Sequence, residues 1–150
     1  MLLSLLSRKA KLKFLDLAMH MVSVDGNPNK IEKRLLNIML AEVGDDIALE
    51  YQFSLSDNFA ETIAFFQFEP KEIKNIVYLN LYKITMVDGF YNTAEHFFLE
   101  DVRKKFEITE TKKRQIIRLI YSERDLRDRA RRTVSEWFKK ALFQKIKNYI

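Results

Sequence analysis

Two stretches of this chain repeat each other at a fixed distance. "VDGNPNKIE", residues 24–32, and "VDGFYNTAE", residues 87–95, share Val, Asp, Gly, Asn and Glu at the same internal positions, 63 residues apart. A match this short arises by chance in many chains, so the flanks decide its weight. At the same offset Leu15 stands against Tyr78, Ala18 against Leu81, Met21 against Ile84 and Val24 against Val87. Beyond the turn Leu35 stands against Phe98, Leu36 against Leu99, Met39 against Val102 and Val43 against Phe106. Apolar meets apolar in every pair, and within each copy these residues recur every three or four positions, the spacing of an amphipathic helix. Each copy therefore reads as helix–turn–helix, over about 10–43 and 73–106. Neither copy can bury its stripe alone, so the two pairs are expected to pack on each other.

Helix signals fill in the rest. The first helix is expected over Arg8–Val24, stopped by Gly26 and by Pro28, which cannot continue it. Asn29 with Glu32, and Asn92 with Glu95, are spaced as capping boxes that start the second helix of each pair. Asp45 or Asp46 would cap a short turn through Tyr51, and Ser56 or Asp57 a helix carrying Phe59, Ile63, Phe66 and Phe65. Pro70 at a first helical position would open a long helix to Val87, with Ile73, Ile76, Val77, Leu81 and Ile84 inward. Thr109 would cap a helix holding Ile116, Ile117, Leu119 and Ile120, and a last long helix would run from Glu123 to Asn148. No segment reads as a strand. The expectation is an all-α fold, a single domain over 1–150 of seven to eight helices built on two repeated helix–turn–helix units, with basic C-terminal helices at 110–150.

Composition narrows the chemistry. The 150 residues contain no cysteine, which excludes disulfides, thiolate metal sites and cysteine nucleophiles and fits a reducing, cytoplasmic setting. Three glycines leave no phosphate-binding loop. The opening "MLLSLLSRKAK" makes a poor signal peptide, and no run approaches the ~20 apolar residues of a membrane span. The net charge of +5 conceals a division: residues 111–150 carry 13 Lys/Arg against 4 Asp/Glu, leaving 13 against 17 in the first 110.

The doubled Asp-Gly arrangement also carries a resemblance. "LDLAMHMVSVDGNPNKIEKRLL" and "LNLYKITMVDGFYNTAEHFFLE" look like the helix pairs of the tellurite-resistance TerB-like family, over about residues 10–107. The resemblance implies an all-helical, non-enzymatic domain tied to bacterial stress responses and tellurite resistance, acting as a protein-interaction module with an acidic surface suspected of binding divalent metal. Carried over, the acidic positions are Asp25, Glu32, Asp88 and Glu95. The basic C-terminal segment has no counterpart in the family pattern.

Read from the residues alone, most of each turn has a structural reason: glycine for a left-handed stop, Asn and Glu for caps. Asp25 and Asp88 fit less well, because a carboxylate at a helix C-terminus opposes the helix dipole by about 0.3–1 kcal/mol. Their partner is either the backbone N–H groups of the turn or a divalent cation. All-oxygen ligands would suit Ca²⁺, Mg²⁺ or Mn²⁺. An EF-hand loop does not fit, since glycine stands at its second position and no acidic residue at its twelfth. His20 and His96, the two imidazoles, read as ordinary helix residues.

The C-terminal stretch "RDLRDRARR" followed by "WFKKALFQKIKNYI" reads as a solvated face opposite a packed stripe. Its functional alternative is a helix that docks on an acidic protein partner, on another copy of the chain, or on anionic membrane. The contact residues would be Arg127, Arg131, Arg132, Trp137, Lys139 and Lys140. Nucleic-acid binding rests on the sign of the charge alone, with no recognised motif.

Overall fold

The computed structural model describes residues 2–22, 30–51, 59–86, 93–132 and 144–148, and for residues 22, 30–36 and 126–132 the backbone only. The described residues form an all-α structure without strands. A 3-10 turn at Leu3–Leu5 precedes α1 (Arg8–Val22), α2 (Lys30–Val43), α3 (Asp45–Glu50), α4 (Phe59–Gln67), α5 (Lys71–Thr85), α6 (Thr93–Lys105) and α7 (Glu110–Arg132). Residues 144–148 are also helical. The chain divides into two compact units, Met1–Glu107 and Ile108–Ile150.

In the first unit the bounds of α5 and α6 are those of α1 and α2 displaced by 63 residues, except that α6 ends one residue early. Each connection is seven residues long, 23–29 and 86–92. Burial follows the same register: Leu15 with Tyr78, Ala18 with Leu81, Met21 with Ile84, Met39 with Val102 and Val43 with Phe106 are all buried. α1 packs on α2, α3, α4, α5 and α6, and α5 touches α1, α2, α4 and α6. The core lies where these helices meet.

The two copies differ in how deep they sit. α1 shows solvent on one side, with Arg8 and Lys9 exposed and Asp16 and His20 half-buried. In α5 every residue from Asn75 to Thr85 is buried, although its sequence suggests a wet face. A helix enclosed on all sides must satisfy its polar groups internally. The Asn80 Nδ2 donates to the Ile76 carbonyl at 2.8 Å and the Thr85 hydroxyl to the Tyr82 carbonyl at 2.7 Å, so both side chains bond back to their own helix. The Asn75 amide oxygen accepts no hydrogen bond among the described residues, a penalty of about 1–3 kcal/mol that the packing around it must outweigh.

Several local expectations need correcting. Pro70 is the N-cap of α5 and not its first residue, because its ψ of 154° is extended. Ile73 and Ile117 are half-buried, the first lying ahead of the enclosed part of α5. Gly44, at φ 110°, caps α3 and leaves Asp45 and Asp46 in the first turn, where carboxylates favour the helix dipole. The break expected near Glu123 does not occur. α7 runs unbroken from Glu110 to Arg132, since no glycine or proline interrupts it and charge alternation alone does not stop a helix. Its start is the one the sequence suggests: the Thr109 hydroxyl accepts from the Lys112 N–H at 3.1 Å.

Truncation of Leu81, fully buried in α5, is expected to lower the unfolding free energy by about 2–5 kcal/mol. Truncation of Leu49, 88% exposed on α3, should change it by less than about 0.5 kcal/mol. Urea denaturation of Leu81→Ala and Leu49→Ala checks both, and equal midpoints would contradict this core.

Candidate functional site

The two Asp-Gly turns are the first candidate. Asp25, Asp88 and the Glu32 side chain lie outside the described residues. Glu95 is described: it stands in the first turn of α6, is 3% exposed and makes its own interactions within the fold. Its place at a helix N-terminus suits a negative charge, and a carboxylate this deep requires hydrogen bonds or a counter-charge. Lys83, in the last turn of α5 just before the same connection, is buried as well. The second connection is therefore flanked by a buried acid and a buried base. Among the described residues no three His, Asp or Glu side chains come together as a metal ion would need.

The second candidate lies where α1 meets α3, α4 and α6. Asp16 and His20 are one helical turn apart on α1, and each anchors one end of the α3–α4 connection. The Tyr51 hydroxyl, just past α3, donates to Asp16 Oδ1 at 2.9 Å. The Phe59 ring, opening α4, stacks on His20 with centroids 4.6 Å apart and planes 14° from parallel. Phe98 of α6 lies against both rings, at 5.9 and 5.4 Å, and Lys105 Nζ stands 5.7 Å from the Phe59 centroid. Asp16, Leu17, His20, Phe59 and Thr62 line a pocket with space for about one water. Small-molecule sites span about 300–1,000 Å³, so this place serves as a joint between helices and not as a substrate pocket.

Burial pushes the Tyr51 phenol up, and the hydrogen bond and negative charge of Asp16 push it further. A phenol whose ionisation is raised on folding stabilises the fold below its ordinary value of about 10, and that contribution is lost as the pH climbs through the raised value. Tyr51→Phe should cost about 1–2 kcal/mol near neutral pH, because Asp16 loses its donor. In urea melts the gap between wild type and variant should narrow above about pH 10. A gap that widens there would contradict the assignment.

The third candidate is α7. At 100° per residue, Arg114, Arg118, Tyr121 and Asp125 share one face at spacings of four, three and four, and all four are exposed, Tyr121 by 50%. Ile116, Leu119, Ile120 and Glu123 occupy the opposite face and are buried. Of the contact residues expected from sequence, Arg127, Arg131 and Arg132 continue α7, with only their backbone described. Trp137, Lys139 and Lys140 lie outside the described residues. The basic face thus begins ten residues earlier than the charge run at Arg124 indicated. The spacing of Arg114, Arg118 and Tyr121 against Ile116, Leu119 and Ile120 was the available signal. Among the described residues no helix is long and apolar enough to cross a membrane.

Comparison with protein-family models, with curated proteins and with solved structures finds no match to this chain.

Proposed function

We propose that this chain is a non-enzymatic, TerB-like helical interaction domain that works in the cytoplasm and binds an acidic protein partner through α7. The observation that carries the reading is the exposed stripe of Arg114, Arg118 and Tyr121, set opposite a buried apolar face. Arginine forks and an exposed tyrosine are the side chains that protein interfaces favour over lysine. The TerB-like assignment is supported by the paired helices and by their equal seven-residue connections. A non-enzymatic role is supported by the absence of any thiol nucleophile or glycine-rich phosphate loop in the sequence.

Calorimetric titration of poly-glutamate into the full chain tests the docking face. Wild type is expected to bind, and Arg114→Glu/Arg118→Glu to bind about tenfold or more weakly, the loss shrinking as salt screens the charges. Equal binding by wild type and variant would remove α7 as the docking face.

A second reading, a divalent cation held at the Asp-Gly turns, is favoured by the equal length of the two connections and by the buried Glu95 beside one of them. Asp25, Glu32, Asp88 and Glu95 would supply oxygen ligands suited to Ca²⁺, Mg²⁺ or Mn²⁺. Amide NMR during titration with these ions should shift Gly26 and Gly89 in wild type and not in Asp25→Asn/Asp88→Asn. Unchanged spectra at millimolar metal would exclude it.

A further inference from the structure

We infer that the occupant of the α7 stripe is a second copy of this chain, bound through the exposed edge of its α3. This rests on the docking face proposed above and names what fills it. Two other occupants fit the stripe poorly. An interfacial helix on a membrane needs its apolar side free, and in α7 Ile116, Leu119 and Ile120 are already buried. A phosphate strand needs an unbroken positive face, and Asp125 sits on the same stripe as Arg114 and Arg118. A protein surface with a carboxylate beside an apolar centre suits both the arginines and the tyrosine that follows them on the stripe.

The chain displays such a surface on its own first unit. The first 110 residues carry 17 acidic against 13 basic side chains, the reverse of the C-terminal part. On α3, Asp45 and Leu49 are one helical turn apart, both exposed, and Leu49 is a large apolar side chain left 88% open. Asp46 and Glu50 beside them are held by Arg8 in exposed ion pairs, which fixes that edge and leaves Asp45 facing outward. The two edges are complementary: an exposed leucine one turn from the outward carboxylate of Asp45 on α3, and an exposed tyrosine one turn from the guanidinium group of Arg118 on α7. Each copy carries one of each, so the α3 edge of one copy can meet the α7 stripe of another, and the charges set the register.

Sedimentation velocity of the full chain tests this. Wild type should associate with rising concentration at about 50 mM salt and dissociate at about 500 mM, where the Debye length falls to a few ångströms. Arg114→Glu/Arg118→Glu alone and Asp45→Lys/Leu49→Lys alone should each be monomeric, with circular dichroism confirming that both are folded. Mixed one to one, they should associate again, because the unaltered α7 of the second variant meets the unaltered α3 of the first, and the two charge-reversed faces also complement each other. A folded mixture that stays monomeric overturns the α3–α7 pairing. Wild type that is monomeric at both salts, yet binds poly-glutamate through Arg114 and Arg118, overturns the second copy as occupant and leaves the acidic-partner reading standing. Loss of both removes both.

Discussion

The enclosure of α5 is the constraint on which the first unit depends. A helix with eleven successive residues buried cannot present a polar face to water, so every neighbouring helix must turn its apolar stripe toward it. α1, α2, α4 and α6 do so. Two polar groups inside the helix, the Asn80 amide N–H and the Thr85 hydroxyl, donate to carbonyls of their own preceding turn. Such bonds cost no long-range geometry and satisfy groups that would otherwise be stranded.

Around this spine the remaining features act as fasteners. The Ser7 hydroxyl caps α1 by accepting from the Ala10 N–H at 3.1 Å, and the Leu3 N–H donates to Glu42 of α2 at 2.9 Å. Tyr51 on Asp16 and Phe59 on His20 pin the two ends of the α3–α4 connection to a single turn of α1. None of these contacts has the volume or the convergent donors of a reaction centre. Together they hold the helix faces of the first unit in fixed places.

Much of this was legible in the sequence. The apolar pairs at the constant offset placed α1, α2, α5 and α6 to within about two residues, because period and punctuation agree there. The depth of α5 was not legible. Asn75, Asn80 and Lys83 fall where an amphipathic helix would show a wet face, and only burial by helices distant in sequence makes that face interior. Nor was the length of α7, since the charge alternation after Ser122 resembles a change of element while the backbone has no reason to stop. The Asp16–Tyr51 and His20–Phe59 contacts join residues more than thirty positions apart, and nothing local in the chain announces them. His20 reads as an ordinary helix residue until Phe59 is seen stacked on it. The basic face is visible in outline, but its described part, Arg114, Arg118 and Tyr121, precedes the charge run that starts at Arg124.

The claim that a fully enclosed α5 organises the paired helices is tested most directly by native-state hydrogen exchange resolved by residue. The amides of residues 76–84 should exchange only through global unfolding, with a protection free energy equal to that from denaturant melts, while those of α3, at the edge of the unit, open locally at lower cost. Exchange of α5 amides by local opening, at free energies no higher than those of α3, would contradict it.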